Sequence, residues 1–87
     1  MITTSRYASS ETRAFARGMA KEANLRYVAR GKKTVQKLAD EARRQGEAEV
    51  SIIEERDGKP ALIITIRIDE LGGFAFEGER ILNPAEK

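Results

Sequence analysis

Arg6, Arg13, Arg30, Lys32 and Lys33 are the side chains of this sequence whose types and spacing point to chemistry, and that chemistry is the gripping of an anion. Arg6 and Arg13 bracket a stretch that passes from Ile2-Thr3-Thr4 through Ser5 to Ser9 and Ser10. Either of the last two serines suits the N-cap of a helix, because a hydroxyl accepts from the orphan amides of the first turn. A helix start just after a strand, flanked by two guanidiniums, is a natural anion site. The same residues also fit an ordinary capped helix with solvated arginines. A second basic bend, Arg30-Gly31-Lys32-Lys33, follows the short run Leu25–Ala29. Its glycine allows a sharp turn.

Other chemistry is largely removed by composition. The 87 residues contain no cysteine and no histidine, which takes away disulfides, zinc sites, thiol nucleophiles and imidazole acid–base catalysis. No serine has a recognisable base partner, so the expectation is a binding protein, not an enzyme, without cofactor or metal. The acidic clusters Glu54-Glu55-Asp57 and Asp69-Glu70 suit solubility at strand edges better than a hard cation. Gly73-Phe74-Ala75-Phe76 approaches an aromatic RNA-stacking motif. Gly72, Glu77 and Glu79 break it, and Phe74 and Phe76 are expected to pack in the core or at an edge.

Charge is distributed with a strong polarity. Residues 1–46 carry 11 Lys/Arg against 4 Asp/Glu, while residues 47–87 carry 5 against 10, although the net charge is only +2. A basic face built by the first half is the implication. The opening Met-Ile-Thr-Thr-Ser-Arg lacks the apolar core of a secretory signal, and no apolar run is long enough for a bilayer. A soluble, cytoplasmic protein is expected. High charge with few Asn, Gln and Met leans toward a thermophile.

These residues need a scaffold, and hydrophobic periodicity supplies one. A strand at Met1–Thr4 leads into a helix over about Ser10–Asn24, with Phe15, Met19 and Ala23 as its buried stripe and Ala16 and Ala20 beside it. Arg13, Arg17 and Lys21 share a different face. Leu25–Ala29 is expected as a second strand. Thr34 caps a second helix with Val35, Leu38, Ala39 and Ala42 inward and Gly46 as its stop. Period-two alternation follows over Glu47–Glu55, an Asp57-Gly58 hairpin turn, and a strand burying Leu62, Ile64, Ile66 and Ile68. Phe74–Glu79 ends the series as an edge strand, with Ile81 and Leu82 folding back and Asn83–Lys87 frayed. The fold class is α/β: a small mixed β-sheet in the order β-α-β-α-β-β-β with two helices, one domain over residues 1–82. Two crossovers make the first three strands parallel. If the first lies between the other two, both basic bends meet at the switch point where α/β sheets place ligands.

Several blocks carry a family resemblance. Thr3-Thr4-Ser5-Arg6, Ser9, Thr12-Arg13 and Phe15-Ala16-Arg17, then Tyr27-Val28, Arg30-Gly31-Lys32-Lys33-Thr34, and Glu54-Glu55-Arg56-Asp57-Gly58-Lys59-Pro60 resemble a Brix domain. Tyr7-Ala8 stand where a basic residue and proline are common, and Thr34 where serine is usual. A full Brix domain resembles two α/β halves, each like an anticodon-binding domain of aminoacyl-tRNA synthetases; this chain has room for one. The resemblance implies an archaeal ribosome-biogenesis factor that binds rRNA and meets other ribosome-assembly proteins. By that resemblance Arg6, Arg13, Arg30, Lys32 and Lys33 contact phosphates and Arg17 and Lys21 extend the track. Ser5, Ser9 and Ser10 then offer hydroxyls or helix-start amides, and Tyr7 stacks a base. The alternatives are a protein-interaction or homodimerising module that rebuilds a pseudo-complete Brix domain, and a tRNA anticodon-stem binder.

Overall fold

The computed structural model describes residues 1–82, so the frayed tail expected over residues 83–87 lies outside the described residues. Its elements are β1 (Ile2–Thr4), α1 (Ser10–Ala23), α2 (Val35–Arg44), β2 (Glu49–Arg56), β3 (Lys59–Ile68) and β4 (Phe74–Ile81). One sheet in the order β1-β2-β3-β4 holds them together. β1 is parallel to β2, and the other neighbours are antiparallel.

The second strand expected at Leu25–Ala29 contracts to a single parallel bridge between Tyr27 and Ile2. Ile2 donates its amide to Arg26 (2.8 Å) and its carbonyl accepts from Val28 (2.9 Å). The chain enters from Asn24, in the left-handed region at φ 59°, and leaves into the bend at Gly31 (φ 55°), so only a residue or two can run alongside β1. Even so, β1 lies between Tyr27 on one side and β2 on the other, the order that brings the two basic bends to one rim. The two helices therefore cover opposite faces.

Each face has its own core. On one, α1 packs Ala16 and Ala20 against Ile2, Ile53 and Ile63. On the other, α2 packs Leu38 and Ala42 against Met1, Val28, Val50, Ile52 and Ile66. A side chain such as Leu38, fully buried, contributes about 1.5–3 kcal/mol. The buried stripe of α1 is Thr12, Ala16 and Ala20, not Phe15, Met19 and Ala23. Small side chains let the helix sit close to the strands, leaving Phe15 and Ala23 exposed and Met19 at the flank. In β3, Ile63 and Ile66 are the buried pair, while Leu62, Ile64 and Ile68 are only half-buried. A strand covered on both faces buries residues of both parities, which one-sided alternation does not foresee. The hairpin turn carries positive φ at both Asp57 (54°) and Gly58 (76°), as a tight two-residue turn between right-twisted strands demands. Ile81 belongs to β4 itself, and Leu82 packs against the α1-side core.

Candidate functional site

At the carboxyl end of β1 the chain must change direction twice, and the two bends enclose a cleft. Ser5 donates its amide to Ile53 (2.9 Å), pinning the strand's end to β2. Tyr7 then takes a left-handed φ of 62° and stands in solvent. Ala8 turns inward, and its carbonyl accepts from the Arg13 guanidinium at 2.6 Å. The cleft, about 350 Å³, is lined by Thr4, Ser5, Tyr7, Ala8 and Arg13 from the first bend and by Ala29, Arg30, Gly31 and Lys32 from the second. Arg13 and Lys32 are exposed at its walls.

Arg30 forms the floor. Its side chain is buried, with Nη1 donating to the Thr4 carbonyl (2.8 Å) and Nε to the Lys33 carbonyl (2.7 Å). It thus ties the two bends together while keeping its charge, since a guanidinium does not deprotonate at neutral pH. Burial, and next the nearby charge of Arg6, lower its pKa from the ordinary value, with Glu54 opposing. No carboxylate pairs with it among the described residues. The same holds for Arg6, Arg13, Arg17, Lys21, Lys32 and Lys33, none of which has an acidic oxygen within the 4.0 Å of an ion pair among the described residues. A buried cation repelled by a neighbouring guanidinium, with Glu54 near but not in ion-pair contact, is an arrangement that an anion relieves.

The remaining candidates divide. Lys33 curls back, donating to the Ala29 carbonyl at 3.1 Å. Arg17 and Lys21 are exposed along α1, the former with its guanidinium carbon 5.8 Å from the centre of the Tyr27 ring. Ser5 lines the cleft and Ser10 is exposed at the helix start. Ser9 does not offer its hydroxyl outward. Its Oγ accepts from the Thr12 amide (3.2 Å) and lies 2.6 Å from the Gly58 carbonyl, to which it can donate.

Glu55 explains why, and sequence reasoning missed its part. One carboxylate oxygen accepts from the Thr12 hydroxyl (2.6 Å) and the Ser9 amide (3.2 Å), so the chain's own acid occupies the start of α1. The Thr12 hydroxyl, then the Ser9 amide, hold the Glu55 pKa below the usual carboxylate range, aided by the Ser9 hydroxyl and Arg13 against partial desolvation. The signal available in the sequence was the alternation of β2: Glu55 lies two residues beyond Ile53 on a strand with no extra residue, and so shares the face that α1 covers. The anion site expected at the helix N-terminus is thus filled from within, and the basic cleft beside it is the open one. Among the described residues no group of three or more acidic side chains is placed to hold a metal ion, and no helix is long and apolar enough to cross a membrane.

Fold and site define a small α/β unit of mixed sheet and two helices with an uncompensated basic rim. No family model matches the chain. A curated relative from Methanothermobacter thermautotrophicus, described as "Probable Brix domain-containing ribosomal biogenesis protein", is 35% identical over 85 residues, covering 98% of this chain and 50% of its own length. The crystal structure of Mil, an archaeal Imp4-like protein, superposes with a TM-score of 0.78 at 34% identity, over 92% of this chain and 48% of that one. The crystal structure of a probable ribosomal biogenesis protein from Aeropyrum pernix K1 superposes with a TM-score of 0.83 at 25% identity, over 92% of this chain and 45% of that one. In sequence and in fold, the chain resembles one half of these archaeal Brix-type and ribosomal biogenesis proteins, spanning about half the length of the relatives it matches.

Proposed function

We propose that the chain is an RNA-binding unit of ribosome biogenesis, one domain over residues 1–82, which grips rRNA phosphates at the rim formed by its two basic bends. The observation that carries this reading is the cleft in which Arg13 and Lys32 stand over a buried, carboxylate-free Arg30. Arg6, whose charge acts on Arg30, and Lys33, folded back on the Ala29 carbonyl, add charge from the same two bends, and Arg17 and Lys21 continue the track along α1. Ser5 and Ser10 supply hydroxyls, while Ser9 holds the loop in shape. Tyr7, held in solvent by its backbone, is a platform for an unstacked base. Recognition is electrostatic, with no bond made or broken, and ribosome-assembly proteins and a cytoplasmic setting follow from the same role.

Binding of this kind releases counterions, so affinity falls linearly with salt on logarithmic axes. Filter binding with ribosomal RNA fragments and with bulk tRNA, over a salt series, tests the proposal. Tight binding to rRNA fragments over tRNA is the expected result; preference for tRNA supports anticodon-stem recognition instead. A salt slope that does not change when Arg6, Arg13 and Lys33 are all replaced by alanine removes them from the interface.

A further inference from the structure

The cleft between the two basic bends holds two features that a demand for positive charge does not explain. Tyr7 is 81% exposed, the most open aromatic side chain among the described residues, and packs in neither core. Its backbone is held in the left-handed region (φ 62°) from both sides. Ser5 is tied to Ile53 through its amide, and Ala8 is buried with its carbonyl taken by Arg13. A bulky residue is strained there, and such strain gathers where a fold clamps a ligand.

Arg30 is the second feature. It is only 8% exposed, and two of its three guanidinium nitrogens are taken, Nε by the Lys33 carbonyl and Nη1 by that of Thr4. Nη2 has no acceptor among the described residues, yet it is not shut off from solvent, and Arg30 lines the cleft. A buried cation thus keeps a free donor in the same opening as a ring that packs in neither core. The opening is about 350 Å³, near the lower end of the roughly 300–1,000 Å³ of small-ligand sites. That is room for one nucleotide, not for a helix.

We propose that this opening takes one unpaired nucleotide of an RNA strand, its phosphate on Arg30 Nη2 and its base stacked on Tyr7. Resting on the RNA reading above, this gives the site a substrate class: single-stranded segments, not duplex. An A-form duplex keeps its bases stacked inside and offers only backbone and groove edges. Its phosphates can meet the exposed Arg13 and Lys32, but it has no base face to give Tyr7. A single strand presents phosphate and base together on a flexible backbone. Arg13 and Lys32 therefore serve any polyanion, and Tyr7 sets the preference for unpaired RNA.

The sequence has no tryptophan, so Tyr7→Trp places a single indole reporter at the stacking position. Fluorescence titration compares decauridine with a blunt RNA duplex of equal total phosphate, and circular dichroism melts confirm that each variant is folded. Decauridine is expected to quench the indole on binding. The duplex is expected to bind about tenfold more weakly or worse and to leave the emission unchanged. Tyr7→Ala should weaken decauridine binding about tenfold without altering its salt slope, because stacking releases no counterions. Tyr7→Phe, which keeps the ring, should bind as the parent chain does. Equal affinity for the duplex, an unquenched indole, parental binding by Tyr7→Ala or lost binding by Tyr7→Phe each overturns the proposal. If binding in those cases still falls with salt and weakens in Arg13→Ala, the electrostatic grip stands without it. A chain that binds neither RNA at low salt overturns both.

Discussion

The two ends of β1 present the same residue types in opposite electrostatic states. At its start, Arg26 lies between Glu47 (2.6 Å) and Glu41 (3.2 Å), and Glu47 also meets the N-terminal ammonium at 3.6 Å. Hydrogen bonding to Glu47 first, and to Glu41 after it, raises the Arg26 pKa despite some burial. At its end, Arg30 is buried without a carboxylate and its pKa is lowered. These two arginines are four residues apart, on either side of the Tyr27 bridge. One set of charges holds the fold, and the other has no carboxylate in ion-pair contact among the described residues. Local density of lysine and arginine does not distinguish them; the position of the acids does.

The largest effect that can break this contrast is on stability. Replacing Arg30 by methionine strands two carbonyls, those of Thr4 and Lys33, in a buried place, and the expected cost is about 2–3 kcal/mol in urea melts. Arg26→Met, at a half-exposed ion pair screened by solvent, is expected to cost less than about 1 kcal/mol. Equal costs would mean that the two ends do not differ as described. Next comes the salt dependence of RNA binding. Arg13→Ala and Lys32→Ala should each flatten the slope by about one unit. Arg26→Ala, at the compensated end, should leave the slope unchanged, and a loss there would blur the boundary of the site.

The smallest effect concerns Glu55 and acid. Its folded pKa lies below the ordinary 4.5, so ionised Glu55 stabilises the fold above that value. The contribution is lost as pH falls through the lowered folded pKa. Glu47 acts in the same sense: burial pushes its pKa up, but Arg26 and the N-terminus outweigh this and hold it down. Glu55→Gln is therefore expected to lower stability at neutral pH and to converge with the parent chain in acid, which flattens the acid limb of a stability–pH profile. An unaltered acid limb would show that the carboxylate does not clamp the start of α1. If the same variant tightened RNA binding, the helix start would join the cleft as part of the grip.

The helices were legible because their signals are local. Ser9 and Thr34 as caps, Leu38-Ala39 and Ala42 on one face, and the Asp57-Gly58 turn each depend on neighbours within four residues, and each stands as expected. The expected placement of Phe15 in the α1 core failed because helix propensity and period do not state how closely the sheet approaches. The strand at Leu25–Ala29 failed for a related reason: its length depends on how far β1 runs beside it. Phe74 and Phe76, expected to pack in the core or at an edge, stand exposed on the edge strand β4. Glu55 was the hardest to foresee, because its partners Ser9 and Thr12 are more than forty residues away.

By itself the sequence determined the chemistry on offer: cations gathered in the first half, no thiol or imidazole, and two helix starts after polar bends. These are properties of residue type and short-range geometry, which no later folding step alters. Only the tertiary structure decided which cations are neutralised and which are free. That outcome turns on Coulomb interactions within a few ångströms, between residues the chain order keeps far apart: Glu55 closes the helix start through Ser9 and Thr12, and the cleft beside it stays open.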